Sequence, residues 1–241
     1  MRLDQYLVQH GLMESRARAQ AAIAAGFVMV NGAVADKSSQ KVPEGAEIAV
    51  TGAAHDYVSR GGVKLRAALD HFDFEVSEKI CLDLGASTGG FTDVLLRAGA
   101  AKVYAVDVGT GQLQEKIAAD ARVVNLEKTH AKDLSPALIP DPIYMIVCDV
   151  SFISLKKALP FALALAAPAC DLAALIKPQF EVGRQGIGKG GLVKEGLSEP
   201  CAQEMAQWIE SAGWAVHGLI DSPISGGDGN KEFLLGATKK I

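Results

Sequence analysis

The sequence has no long hydrophobic run. Its longest apolar stretch, residues 158–170, is interrupted by Pro160 and Pro168 and falls well short of the roughly 20 residues that a membrane-spanning helix needs. The first residues contain neither a continuous apolar core nor a cleavage site of the kind found in secretion signals. We therefore expect no membrane partner and a cytoplasmic location.

Cysteine and histidine are few and scattered. The four cysteines stand far apart in the sequence, which excludes the paired spacing of zinc ribbons. None of the five histidines lies near a second ligand type at a spacing that suits a metal ion. The sequence predicts buried thiols and no metal.

An excess of positive charge is also missing. The formal net charge is -4 at pH 7, whereas strongly basic nucleic-acid binders carry many Lys and Arg for phosphate contacts. Any RNA site on this chain must therefore be a local patch. The content of 49% hydrophobic and 22% charged residues is ordinary for a globular protein and excludes disordered and fibrous classes.

The first 51 residues have the pattern of a small α+β unit. Apolar residues at helix-like spacing over 3–12 predict one helix, and Ser15 is a suitable N-cap for a second helix over 16–25, with Gly26 at its C-cap. Short β-prone runs follow over 27–30, 33–34 and 48–50, the first two joined by the hairpin dipeptide Asn31-Gly32.

Four segments of this unit, residues 3–7, 15–19, 26–32 and 41–42, together resemble the S4 RNA-binding domain along its whole length. The resemblance implies that Arg16 and Arg18 contact the phosphate backbone of folded RNA. Composition alone does not show this, because acidic and basic side chains are balanced here. The expected domains are an S4-like domain over 1–51, a small and flexible linker over 52–58, and a catalytic domain over 59–241.

From residue 79 onward the pattern becomes that of a parallel α/β sheet. A β-prone run over 80–84 leads into the glycine-rich segment 85–90, and a helix is predicted from Phe91. Glycines at such a turn let a cofactor approach the backbone, and the N–H groups at the helix start favour an anionic group. The spacing G-x-x-x-G-G differs from the dinucleotide fingerprint G-x-G-x-x-G, so NAD is disfavoured.

Two polar residues follow this segment at predicted strand ends. Asp107 ends a β-prone run where a carboxylate can accept both hydroxyls of an adenosine ribose. Asn125, or a neighbour, would lie near the adenine. The segment 83–92 closely resembles the first motif of FtsJ-type RNA methyltransferases, which implies S-adenosylmethionine as the cofactor. The predicted cofactor-binding residues are Asp83, Gly85, Ala86, Ser87, Thr88, Gly89, Gly90, Phe91, Asp107, Asn125 and Asp149.

Three ionisable residues adjoin strand-like runs: Asp149, Lys177 and Glu232. The ligand crevice of a parallel α/β sheet lies at the carboxyl ends of its strands, and an antiparallel last strand would bring Glu232 to the same edge. Lys64 lies in a predicted helix ahead of the sheet. In order and context, these four residues match the Lys-Asp-Lys-Glu tetrad of FtsJ-type 2′-O-ribose methyltransferases.

A ribose hydroxyl is a poor acid, so methyl transfer to it needs a base or a cation that stabilises the developing alkoxide. We expect Lys177 to act on the target 2′-hydroxyl, Asp149 to orient it, and Lys64 and Glu232 to complete the charge pattern. The sequence leaves open whether Lys177 is a base or an electrostatic stabiliser. Three more residues are predicted to contact RNA, the last two in a glycine-rich loop: Arg60, Arg184 and Lys189.

The order of an S4-like domain, a short linker and an FtsJ-type domain resembles the TlyA or haemolysin A family of ribosomal RNA 2′-O-methyltransferases over essentially the whole chain. The resemblance implies cytidine in ribosomal RNA as the target and ribosomal subunits as the substrate. The expected fold class is α/β, a Rossmann-like seven-stranded methyltransferase sheet with a small N-terminal S4-like α+β domain.

Three other functions fit the sequence less well. A membrane-damaging protein is disfavoured because a spanning segment and a secretion signal are missing. A non-catalytic RNA-binding protein would show a broken tetrad or glycine loop, and both are intact. A base or protein methyltransferase is disfavoured because residues 149–152 depart from the Asn/Asp-Pro-Pro-aromatic motif of base-N enzymes. The sequence does not determine the oligomeric state, the subunit recognised or the nucleotide modified.

Overall fold

The structure, a computed structural model, describes residues 1–13, 15–24, 27–35, 37–50, 57–226 and 229–240. The chain divides into two compact units, Met1–Asp56 and Tyr57–Ile241. Most of the predicted linker, residues 52–56, and the predicted C-cap Gly26 lie outside the described residues.

The smaller unit contains two helices and a three-stranded antiparallel sheet of order β2-β1-β3. The hydroxyl of Ser15 accepts a hydrogen bond from the Arg18 backbone N–H at 3.2 Å, so the predicted N-cap is confirmed. Asn31 and Gly32 have φ angles of 51° and 78°, which the predicted hairpin turn requires. The elements are α1 Leu3–Gln9, α2 Arg16–Ala24, β1 Val28–Val30, β2 Ala33–Val34 and β3 Ile48–Val50.

The larger unit is built on a seven-stranded sheet of order β6-β5-β4-β7-β8-β10-β9. Strands β4 to β8 pair in parallel, and β10 is antiparallel to both of its neighbours. The predicted Rossmann-like seven-stranded sheet is therefore confirmed. The strands are β4 Ile80–Leu84, β5 Lys102–Val106, β6 Val123–Leu126, β7 Ile143–Cys148, β8 Ala166–Ile176, β9 Trp214–Asp221 and β10 Phe233–Lys239.

Helices cover both faces of this sheet. One apolar core includes Leu159 and Ile209, and the other includes Leu65 and Leu95. The central strands read as continuous apolar runs because both of their faces are buried. All four cysteines are buried and free, as predicted. The helices are α3 Gly61–Phe72, α4 Gly90–Arg97, α5 Glu115–Ala118, α6 Leu155–Leu163, α7 Pro178–Glu181 and α8 Ser198–Ser211.

Within the described ranges, no helix has both the length and the apolar content that crossing a membrane requires.

Strand directions bring the predicted charged residues to one edge of the sheet. Asp149 follows β7, and Lys177 follows β8. The antiparallel pairing of β8 and β10 sets Phe233 opposite Ile176, so Glu232, just before β10, lies beside Lys177, just after β8. The sheet register therefore decides which charges meet.

Candidate active site

The glycine-rich segment after β4 lies tightly against the end of β7. Gly85 has a φ angle of 91°, and a Cβ atom there would lie 2.7 Å from the carbonyl oxygen of Asp149. Gly89 has a φ angle of 94° and directly precedes α4. Only glycine meets both demands at Gly85, a positive φ and close backbone contact. The segment thus forms an open backbone cradle at the strand end.

Asp83 lies beneath this cradle and is fully buried. Its Oδ2 accepts a hydrogen bond of 2.6 Å from the hydroxyl of Thr92, in the first turn of α4. Burial raises the pKa of Asp83 to about 7, against the opposing effect of the Thr92 bond. Asp83 therefore stabilises the glycine-rich segment through Thr92. It does not line either the cavity beside Asp107 or the cavity that contains the tetrad.

The Asp107 carboxylate is held in a fixed orientation at the end of β5. The backbone N–H of Ser87 donates to its Oδ2 at 2.8 Å, and the N–H of Gly109 donates to its Oδ1 at 2.7 Å. Each oxygen keeps a further lone pair. Asp107 borders a cavity of about 360 Å³ whose other walls include Val106 and Val150. An acceptor beside apolar walls suits a nucleoside, with the ribose at the carboxylate.

Asn125 is not brought into this cavity. It is exposed on β6 and is not among the residues that line the cavity. Thr129 and His130 line the corresponding part of the cavity, and the Thr129 backbone N–H donates to the carbonyl of Asp107 at 3.0 Å. The sequence also allowed a neighbour of Asn125 to lie near the adenine. That alternative matches this geometry better, because the chain returns to the cavity only after β6 ends.

A second cavity, of about 340 Å³, is lined by all four residues of the predicted tetrad. Lys64 Nζ lies 2.5 Å from Glu232 Oε2, and Lys177 Nζ lies 2.6 Å from Asp149 Oδ1. The Lys64 and Glu232 side chains are only 10% and 3% exposed. Mutual pairing offsets the desolvation that burial imposes on charged groups. The tetrad is thus two ion pairs with no net charge.

The two cavities adjoin one another. Gly85, Ser87, Asp149 and Ser151 line both. A molecule whose nucleoside part occupies the first cavity can therefore reach the charged tetrad across the glycine-rich cradle. The first cavity can hold the nucleoside part of a group donor, and the reactive end of that donor then faces Lys177 in the tetrad cavity.

Two residues after β7 were missed in the sequence. The hydroxyl of Ser151 accepts a hydrogen bond of 2.8 Å from Lys177 Nζ. Phe152 is 90% exposed with a φ angle of 64°, and its ring lies 5.1 Å from that of Phe180. Sequence reasoning used this segment to match Asp149 to the tetrad and to exclude a base-N motif, and assigned no role to Ser151 or Phe152. No local pattern marks a serine two positions after an aspartate as a lysine partner.

A third cavity, of about 530 Å³, opens beyond Lys177 and is walled by Phe152, Phe180 and Ile187, among others. It shares Ser151, Lys177 and Glu232 with the tetrad cavity. Its aromatic walls suit a nucleotide base that approaches the tetrad.

The predicted RNA contacts occupy different places. Arg60 lines the tetrad cavity. Arg184 and Lys189 are exposed in two short 3-10 turns after α7. Arg18 is partly buried on α2. Arg16 is half-exposed, and its guanidinium is paired with an acidic side chain.

That acidic side chain is Asp4, which is fully buried in the smaller unit. Its carboxylate accepts hydrogen bonds from Arg2 at 2.9 Å, Arg16 at 3.0 Å and Gln20 at 2.9 Å. The bond from Arg2 is the largest of the effects that hold the pKa of Asp4 well below its usual range. Two half-exposed guanidinium groups therefore share one carboxylate, and the cluster keeps a net positive charge.

Two family models match the chain. An FtsJ-like methyltransferase matches residues 57–239, and an S4 domain matches residues 1–48. The chain is 42% identical over 236 residues to the 16S/23S rRNA (cytidine-2'-O)-methyltransferase TlyA of Mycobacterium tuberculosis, covering 97% of this chain and 88% of that protein.

Two further proteins are similar over most of their length. Hemolysin A of Brachyspira hyodysenteriae is 43% identical over 97% of this chain and 98% of its own. A solved structure from Streptococcus thermophilus is 41% identical, covers 100% of this chain and 88% of that one, and has a TM-score of 0.77.

Proposed function

The chain belongs to the FtsJ-like methyltransferase family and carries an S4 domain. We propose that it transfers a methyl group from S-adenosylmethionine to the ribose 2′-hydroxyl of a cytidine in ribosomal RNA. The observation that carries this proposal is the pairing of Lys177 with Asp149 and of Lys64 with Glu232 around one cavity. The name of the TlyA relative supports the choice of substrate.

The residues of the first cavity fit S-adenosylmethionine, which supplies an activated methyl group when it is bound. Asp107 offers acceptors for the ribose hydroxyls, and the apolar walls suit the adenine. The backbone N–H groups of the cradle over Gly85–Gly90 suit the carboxylate of the methionine part. Asp149 and Ser151, which line both cavities, stand where the donor and the acceptor hydroxyl must meet.

Lys177 acts on the target hydroxyl through Nζ. It either takes the 2′-hydroxyl proton or stabilises the negative charge that develops on the oxygen as that proton leaves. Asp149 orients the lysine. The Lys64–Glu232 pair adds a buried dipole beside it, and its side chains exclude water from that wall of the cavity.

The S4-like domain over 1–51 would be joined by the linker over 52–58 to the catalytic domain over 59–241. It would hold folded RNA through Arg16 and Arg18. Arg60 would meet RNA at the tetrad cavity, and Arg184 and Lys189 would meet it along the glycine-rich loop. The partner is a ribosomal subunit or its RNA, because the S4 domain and the TlyA relative both indicate an RNA substrate.

Methyl transfer from labelled S-adenosylmethionine to purified 30S subunits, 50S subunits and naked ribosomal RNA tests the proposal. Nuclease digestion and mass spectrometry then identify the modified nucleoside. We expect a 2′-O-methylated cytidine. A label on a base or on protein would contradict the proposal, and cofactor binding without any transfer would favour a non-catalytic RNA-binding role.

The role of Lys177 is tested in the same assay with Lys177→Ala. We expect transfer to fall by at least 100-fold, in the range for loss of a general acid–base group, while S-adenosylmethionine still binds. Lys157→Ala is the matched control, because Lys157 is an exposed lysine on α6. Near-normal turnover by Lys177→Ala would contradict the assignment.

A further inference from the structure

We propose that Ser151 is a positioning residue for Lys177, whose terminal nitrogen it orients toward the target hydroxyl together with Asp149. The inference rests on the proposed function, since the orientation matters for that methyl transfer. It concerns a residue outside the Lys-Asp-Lys-Glu tetrad.

The argument begins with the nitrogen itself. Apart from its bond to Cε, the Lys177 Nζ atom has three tetrahedral directions. Ser151 Oγ accepts a hydrogen bond along one of them at 2.8 Å. Asp149 Oδ1 forms an ion pair with the same nitrogen at 2.6 Å, but it lies outside hydrogen-bond geometry. The directional contact of Lys177 Nζ is therefore the one to Ser151, and the charge attraction to Asp149, which depends little on angle, adds to it.

The ion pair with Asp149 alone would not orient the nitrogen, because it lacks hydrogen-bond alignment and leaves the Nζ group free to rotate about the Cε–Nζ bond. The hydrogen bond to Ser151 fixes that torsion, and with it the two remaining directions of the nitrogen. One of these directions can face the target hydroxyl. Ser151 lies at the right place for this purpose, since it lines both cavities that border Lys177.

Packing does not explain the position of Ser151. The residue is exposed, unlike the neighbouring strand residue Cys148, which is fully buried. The positive φ of the following residue, Phe152, turns the chain sharply at this point. Such a conformation is costly for a non-glycine residue and is most often retained near functional sites. The turn keeps the Ser151 hydroxyl against Lys177 Nζ.

The kinetic test compares Ser151→Ala with Ser151→Thr. Misplacing a reacting group by about 1 Å can cost about 100-fold in rate. We therefore expect Ser151→Ala to lower kcat by about 10- to 100-fold, with the KM for RNA and the Kd for S-adenosylmethionine little changed. Ser151→Thr keeps the hydroxyl and should restore most of the rate. Equal kcat for Ser151→Ala and the unaltered protein would overturn the inference.

A second measurement needs no methyl transfer. Competitive acylation of lysine amines, read by mass spectrometry, reports how firmly each amine is held. Lys177 should react several-fold faster in Ser151→Ala than in the unaltered protein, while Lys64, which is paired with Glu232, keeps its rate. If the unaltered protein methylates no RNA, the proposed function fails, and the acylation rate still decides this inference. An unchanged Lys177 rate would overturn it.

Discussion

The buried pair between Lys64 and Glu232 provides a quantitative test of the site. Glu232→Gln removes the negative charge and leaves the Lys64 ammonium without its counter-ion, although the shape of the side chain is kept. Both side chains are at least nine-tenths buried, so the lone charge receives little help from solvent. Breaking such a pair on one side costs about 3–5 kcal/mol.

This cost should appear as a lower melting temperature of the larger unit. For a domain of this size, each kcal/mol lowers Tm by about 2–4 °C, which gives a fall of roughly 6–20 °C. Thermal unfolding followed by circular dichroism measures it, with urea unfolding for the free energy. Methyl transfer should fall as well, because Glu232 borders the cavity of Lys177.

A double variant separates stability from catalysis. Replacing Lys64→Met together with Glu232→Gln removes both charges, and neutral replacements of buried pairs are often as stable as the original. Stability should therefore recover largely while transfer stays low. If Glu232→Gln alone melts within 2 °C of the unaltered protein, the pair is solvated and the reasoning from burial is refuted.

Two further predictions concern Arg16 and Asp83. Arg16→Ala should weaken RNA binding and reduce the slope of log affinity against log salt by about 1, while Arg2 still pairs with Asp4. Arg66→Ala, in the larger unit, is the control; the Arg66 side chain is 37% exposed. An unchanged slope for Arg16→Ala would mean that Arg16 only pairs with Asp4. The pKa of Asp83, raised by burial to about 7, lies above its unfolded value of about 4. The folded state therefore binds more protons between these values, so its stability should fall as pH rises from about 4 through 7. Urea unfolding at pH 5 and pH 8 gives the free energy of unfolding at each pH. Between these two values it should fall less for Asp83→Asn than for the unaltered protein, and an equal fall would contradict the burial argument.

Local sequence patterns determined most of the elements. The run before Gly85 predicted β4 because a strand that is buried on both faces is continuously apolar. The dipeptide Asn31-Gly32 predicted the hairpin because only a few residue types tolerate its positive φ angles. These signals are short-range, so no knowledge of distant residues was needed.

Two predictions show the limits of such signals. The strand-like run that precedes Lys177 in the sequence covers only residues 172–176. The observed strand β8 begins at Ala166 and includes Pro168, a residue that usually argues against a strand interior. Asn125 is near a strand end as expected, yet it does not line the cavity that Thr129 lines. The path of the chain after a strand depends on what packs beside it.

The sequence by itself predicted which charged residues form the site, because three of them adjoin strand ends and Lys64 precedes the sheet, in an order typical of one family. Tertiary structure alone decided how they pair: Lys64 with Glu232, which is 168 residues away, and Lys177 with Asp149 and Ser151. The reason is physical. Pairing of charges depends on the register between β8 and β10 and on the packing of α3 against β10, and these long-range contacts leave no periodic pattern in the local sequence.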